Sequence, residues 1–140
     1  MNEIIQLKAD DDESYSFIHM CCTLPHIQAA LYAPWQGAGG YHRICSLLDG
    51  GDPFVVPVID GKAVGLVFGE GPPPELRGHL AFFRKVPPQQ LRRAMELLLD
   101  FSVDLGYTRI SAEAPMRAAR MFIRRCGFTQ QKDSRWIKEL

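Results

Sequence analysis

The segment PQQLRRAMELLLDFSVDLG, residues 88–106, limits what this chain can fold into more than any other. Leu91, Ala94, Met95, Leu98, Phe101, Ser102 and Leu105 recur at helical spacing, while Arg92, Arg93, Glu96, Asp100 and Asp104 fall on the opposite side. Pro88 suits the first turn of such a helix and Gly106 its exit. The helix stands between two strand-like runs, LRGHLAFFR at 76–84 and YTRISAEA at 107–114. A strand, a packed helix and a second strand in that order predict an α/β crossover. In the first strand His79, Ala81 and Phe83 share one face, and Leu80 and Phe82 share the other.

Upstream, FVVPVI and KAVGLVFGE are separated by Asp60-Gly61, a pair that accepts the positive backbone angles of a tight hairpin. Pro57 places the first of these strands at a sheet edge or gives it an irregularity. The chain opens with a short strand, EIIQLK, and then the acidic cluster Asp10 to Glu13, which suits a helix start. Tyr15, Ile18 and Cys22 give helical spacing over 14–24, HIQAALY forms a second short helix after Pro25, and YHRICSLLD forms a third. Gly37, Gly39 and Gly40 read as a mobile or tightly turned loop between them. After the crossover, Pro115 begins a helix through MRAARMFIRRC that stops at Gly127, and two strand pieces follow, around 128–130 and 135–137. With 140 residues there is room for a single domain spanning 1–140.

The charge is balanced overall but divided along the chain. Residues 1–75 carry 3 Lys or Arg against 10 acids, whereas residues 76–140 carry 13 against 6. A basic second half suits a phosphate-bearing ligand. Arg117, Arg120, Arg124 and Arg125 could make a nucleic-acid face, but their ordinary role is to solvate the outside of a helix, so nucleic acid is not expected as a partner. Cys21, Cys22, Cys45 and Cys126, even with His19 and His26 nearby, lack zinc-site spacing. Buried thiols and no metal are expected. No run approaches the roughly 20 apolar residues of a membrane span, and the N-terminus lacks a secretory pattern. A cytoplasmic location is expected.

The element order and the stretch AARMFIRRCGF at 118–128 resemble the GCN5-related N-acetyltransferase superfamily, whose late helix ends in an alanine, aromatic or aliphatic, Gly-Phe pattern. The resemblance covers roughly residues 3–138 and implies a mixed, mostly antiparallel α/β sheet with helices on both faces. It also implies acetyl transfer from acetyl-coenzyme A to an amine, either a small molecule, a protein N-terminus or a lysine. The cofactor would lie between two splayed central strands, and its pyrophosphate would sit on backbone N–H groups at the start of the long helix.

The family loop there, Arg/Gln-x-x-Gly-x-Gly/Ala, is replaced by PPQQLR: Pro87 stands at the first position, Gln90 at the first glycine and Arg92 at the second. The residues that would then meet the cofactor are Phe82, Phe83, Arg84, Lys85, Gln89, Gln90, Arg92 and Arg93. The family's tyrosine proton donor is matched by Ile123, which has no proton to give, leaving water as the proton source. His79 and Glu75 are the candidate bases. Tyr32, Trp35, Tyr41 and His42 form an aromatic edge on the acceptor side or else complete a small core. The same resemblance also fits an inactive structural or protein-binding domain, as in small virus-encoded proteins of similar fold, with exposed strand edges or the Trp35 region available for self-association.

Overall fold

The computed structural model describes residues 1–31, 33–83 and 85–140. The first part of the chain forms β1 (Glu3–Gln6), α1 (Asp12–Cys22), α2 (Pro25–Ala30) and α3 (Gly37–Asp49). The hairpin region forms β2 (Phe54–Ile59), β3 (Lys62–Ala63), β4 (Gly65–Glu70) and β5 (Glu75–Phe82). The crossover helix is α4 (Pro88–Asp104), followed by β6 (Arg109–Ala112), α5 (Arg117–Arg125), β7 (Thr129–Gln130) and β8 (Trp136–Glu139). The strands form one sheet in the order β1-β2-β4-β5-β6-β8-β7, with β3 also on β2. Among the described residues only β5 and β6 run parallel; the other pairs are antiparallel. This is the mixed, mostly antiparallel sheet that the sequence predicts.

The hairpin turn behaves as its residues dictate. Asp60 has φ 51° and Gly61 φ 79°, both in the left-handed region that a two-residue turn of this kind needs. Pro57 does not put β2 at the edge: β2 lies between β1 and β4, and Pro57 stands opposite Ile4. The irregularity falls across the hairpin instead. Val58 pairs with Ala63 and Val55 with Val67, so the β3–β4 side carries one extra residue, and the Val64 N–H reaches the Pro57 carbonyl at 3.0 Å.

Alternation along the strands builds two cores. Phe54, Leu66, Phe68 and Ala81 pack against Ile18, Cys21, Ile27, Ile44 and Leu48 of α1, α2 and α3. On the other side Val55, Val67 and Leu80 meet Leu98 of α4, and Leu76 and Ile110 meet Met95. Ile123 of α5, Phe128 and Trp136 extend that second core. His79 and Phe83 fall with Ala81, and Leu80 and Phe82 fall with the α4 side, as the period of two requires.

Three expectations are corrected. The glycines at 37, 39 and 40 belong to α3, whose first turn they form. A Cβ on Gly40 would lie 2.0 Å from the Trp35 carbonyl carbon, so this glycine is what lets α3 lie on the 33–35 turn. Leu105 ends the α4 stripe 39% exposed, because it lies just beyond the last helical residue. The helix after Pro115 starts at Arg117.

Candidate active site

The β5–β6 ladder runs from Glu75 opposite Arg109 to Gly78 opposite Ala112 and stops there. β5 continues to Phe82, still paired to β4 but, among the described residues, with no strand on its other edge. The Phe83 N–H donates to the Val64 carbonyl at 2.8 Å, on the β4 side. Backbone alternation therefore turns the amides of Leu80 and Phe82 toward the open edge.

A groove of about 680 Å³ lies along that edge. Leu80, Phe82 and Phe83 form its strand wall, Pro25, His26 and Ala29 of α2 one flank, and Met116, Ala119 and Phe122 the other. Phe82 and Phe122 meet edge to face across it, with ring centroids 5.8 Å apart. Near the α4 N-terminus, Gln89 and Arg92 join Phe122, Arg125 and Cys126 around a smaller pocket of about 210 Å³.

The helix terminus itself offers little to an anion. Pro88 has no N–H, and the amides of Gln90 and Leu91 donate to the Pro87 carbonyl at 2.9 and 3.1 Å, which leaves the Gln89 amide. The Gln90 side chain donates to Asp60 at 3.1 Å and Arg93 to Glu96 at 2.8 Å, so both are turned to partners in the chain. Lys85 sits exposed in the turn before α4 with φ 60°. Arg84 and Tyr32 lie outside the described residues. Of the eight expected cofactor contacts, the fold thus brings Phe82 and Phe83 to the groove and Gln89 and Arg92 to the smaller pocket.

His79 is the first residue beyond the end of the β5–β6 ladder, on the face opposite Leu80. Its ring lies between Phe68 and Trp35, with centroids 4.8 and 5.1 Å away, and its side chain is 6% exposed. Nε2 is 3.2 Å from Glu70 Oε1. Burial holds its pKa below the ordinary 6.5, while the hydrogen bond and charge of Glu70 oppose that shift. Arg77 lies 3.7 Å from Glu70 and donates to Glu113 at 2.8 Å, extending the polar chain from His79 to the loop after β6.

Glu75 stands at the other end of β5. Arg109 and Arg135 lie 3.7 and 3.6 Å from its carboxylate, and it does not line the groove. Trp35 completes the core rather than an exposed edge: it is 9% exposed, packs on Phe68 and His79, and its Nε1 has no hydrogen-bond partner among the described residues. Tyr41 and His42 pair on α3 at 5.7 Å, with Tyr41 at the margin of the same core. Ile123 is buried at 2% exposure. All four cysteines are free thiols whose pKa burial raises, that of Cys21 to about 12. Among the described residues no cluster of three or more His, Cys, Asp or Glu is arranged to hold a metal, and no helix is long and apolar enough to cross a membrane.

Glu70 has no role in the sequence reading, and His26 and Arg125 appear there only beside the cysteines and on a basic helix face. Glu70 was legible: the short GPPP turn between β4 and β5 sets a register that puts it diagonal to His79. His26 and Arg125 reach the groove and the smaller pocket through packing of α2 and α5, which no local pattern encodes.

No family model matches the chain, and no curated protein matches it in sequence. Solved structures match it over its whole length. An aminoglycoside acetyltransferase, AAC(6')-Ib, in complex with coenzyme A superposes with a TM-score of 0.71 at 11% identity, covering 99% of this chain and 95% of that one. An acetyl transferase from Salmonella typhimurium that modifies the N-terminal serine of 50S ribosomal subunit protein L7/L12 gives 0.72 at 9% identity, over 99% and 95%. N-acetylglutamate synthase from Neisseria gonorrhoeae, complexed with coenzyme A and N-acetyl-glutamate, gives 0.65 at 14% identity, with all of this chain covering 35% of that one. The chain carries a divergent form of the GCN5-related N-acetyltransferase fold.

Proposed function

We propose that this chain is an N-acyltransferase that uses an acyl-coenzyme A, acetyl-coenzyme A in the simplest case, and an amine acceptor. The observation that carries the reading is the open edge of β5: the amides of Leu80 and Phe82 border an apolar groove where the parallel ladder has ended. Such an edge can accept the amide-bearing arm of coenzyme A as a β-strand accepts a neighbour, and the apolar walls suit its methylenes. The bound thioester supplies an activated acyl carbonyl whose thiolate leaves when an amine attacks.

The chain's residues divide the remaining work. The Leu80 amide is aimed to hydrogen-bond a carbonyl oxygen at the head of the groove and to stabilise negative charge there. Arg92 and Arg125 supply positive charge beside the Gln89 amide, standing in for the family's glycine loop. His79, neutral because it is buried, takes the amine proton through water with Glu70 behind it. The acceptor is a small amine, a protein N-terminus or a lysine. Ile123 has no role in proton transfer, so water protonates the thiolate.

A second reading, a cofactor-free binding domain, draws on the reduced helix terminus and the 6% exposure of His79. One titration separates the two. Coenzyme A and acetyl-coenzyme A should bind the wild-type protein in calorimetry, and Ala119→Trp, which fills the groove, should weaken both at least about tenfold. No binding of either ligand at millimolar concentration decides for the second reading.

A further inference from the structure

A small, partly open apolar pocket lies between the sheet and α4, immediately behind the end of the β5–β6 ladder. Its volume is about 50 Å³, and Gly78 and Ala112, the last pair of that ladder, both line it. The space exists because Gly69 and Gly78 stand opposite each other on this face, so two neighbouring strands send no side chain toward α4. Leu76 folds over Gly69, where a Cβ would meet it at 2.5 Å. Nothing closes over Gly78 in the same way: its nearest neighbour to an added Cβ is Ile110 at 3.4 Å. Leu98 and Ser102 of α4 form the opposite wall, and the Ser102 hydroxyl is spent on the Leu98 carbonyl at 2.8 Å.

Leu80 lines both this cavity and the open groove. It is the partition between them, and its own amide is the one aimed at the head of the groove. An acyl carbonyl held by that amide would therefore have its alkyl tail beside the Leu80 side chain, with the pocket lined by Gly78 on that side chain's other flank. A water-sized group needs roughly 10–15 Å³ on this scale, so the cavity has room for about four. Its lining gives water no free partner, which leaves hydrocarbon as the fitting occupant.

We propose that the cavity is an acyl-chain subsite and that the preferred donor is a coenzyme A thioester of about four to six carbons rather than acetyl. This rests on the acyltransferase reading and names its substrate class. The chemistry is unchanged by chain length: the amine nitrogen forms the C–N bond and loses its proton to the base. The C–S bond breaks, and the thiolate takes a proton from water to give the amide and free coenzyme A.

Each methylene buried should tighten binding about fourfold, less what it costs to turn Leu80 aside. Calorimetric titration of the wild-type protein with coenzyme A and its acetyl, butyryl and hexanoyl thioesters tests this directly. Hexanoyl-coenzyme A is expected to bind about 10- to 100-fold tighter than acetyl-coenzyme A, with butyryl between. Ser102→Leu, which fills the cavity from α4, should bring hexanoyl to within about threefold of acetyl and leave free coenzyme A unchanged. Gly78→Ala, which fills it from the sheet, should do the same in part, so the test survives if one variant does not fold.

If coenzyme A and acetyl-coenzyme A bind but chain length makes no difference, the subsite is wrong and the acyltransferase reading stands. A hexanoyl preference that persists in both variants puts the tail elsewhere and also overturns the subsite. If none of the four ligands binds, both readings fall together.

Discussion

The two halves of β5 share one strand and one partner in β4, yet they differ in nearly every other respect. From Glu75 to Gly78 the strand is paired to β6, with Arg77 and Gly78 paired to β4 as well, and its charged residues close on neighbours: Glu75 on Arg109 and Arg135, Arg77 on Glu113. From His79 to Phe82 only the β4 edge is paired, and the other borders the groove. The paired half buries its hydrogen-bonding capacity in the ladder, while the free half keeps two amides available beside apolar walls. Binding chemistry belongs where the sheet has given up a strand, and stability there must come from side chains instead.

Trp35 is the largest of those side chains, and removing it should separate the halves most sharply. Trp35→Ala deletes the ring that packs on Phe68 and His79 and is expected to cost about 4 kcal/mol, read from the urea unfolding midpoint. Trp35→Phe keeps most of the ring, removes an Nε1 donor that has no partner among the described residues, and should cost less than about 1.5 kcal/mol. A Trp35→Ala protein as stable as wild type would mean that the free half does not depend on this packing.

Two glycines give the next contrast. A Cβ on Gly65, opposite Phe82 in the free half, would lie 2.4 Å from the Ala81 carbonyl oxygen and 2.8 Å from Phe82 Cα, both backbone atoms. Gly65→Ala must push β4 from β5 and should cost about 2–3 kcal/mol in thermal or urea unfolding. At Gly78, in the paired half, the nearest contact is an ordinary 3.4 Å to Ile110, and Gly78→Ala should stay within about 1 kcal/mol of wild type. Equal losses at both sites would show that the strands move apart as easily in one half as in the other.

His79 sharpens the comparison through pH. Its folded pKa lies below its ordinary 6.5, so the unfolded chain takes up the proton first as pH falls. The stability it contributes is complete above 6.5 and is lost as pH drops from there toward the folded pKa. His79→Phe, a ring between Phe68 and Trp35, should remove that part of the slope when unfolding free energy is followed from pH 7.5 down to 5. An unchanged slope would place the acid sensitivity in another group.

Much of this contrast is written in the sequence. The period of two in LRGHLAFF puts His79 and Ala81 on the α1–α3 face and Leu80 and Phe82 on the α4 face, and Asp60-Gly61 fixes the hairpin that pairs them. The helix of 88–104 predicts that the next strand will run parallel, as β6 does. What local pattern does not encode is where that parallel ladder stops, because Gly78 opposite Ala112 is set by how α4 and α5 pack rather than by either strand. Groove, cavity and the shared role of Leu80 follow from that single stopping point. Gly37, Gly39 and Gly40 looked like a loop for a related reason: glycine lowers helix propensity, and only the approach of Trp35 explains why a helix keeps one at 40.

The smallest expected effect lies at the paired end. Glu75 is 36% exposed on its side chain, and its partners Arg109 and Arg135 are 45% and 43% exposed, so solvent screens both ion pairs. Glu75→Gln should cost no more than about 1 kcal/mol at low salt, and less at high salt. It should leave coenzyme A binding unchanged, since the carboxylate is four residues from His79 along an extended strand and outside the groove. Once an acceptor is found by acyl-coenzyme-A-dependent mass change, the rate should be followed against pH for Glu75→Gln and His79→Ala. Loss of the acid limb, where the rate rises as the base loses its proton, in the His79 variant alone is the expected result. If Glu75→Gln removes that limb while His79→Ala keeps it, the base belongs to the paired half and the division of labour within β5 is the reverse of the one drawn here.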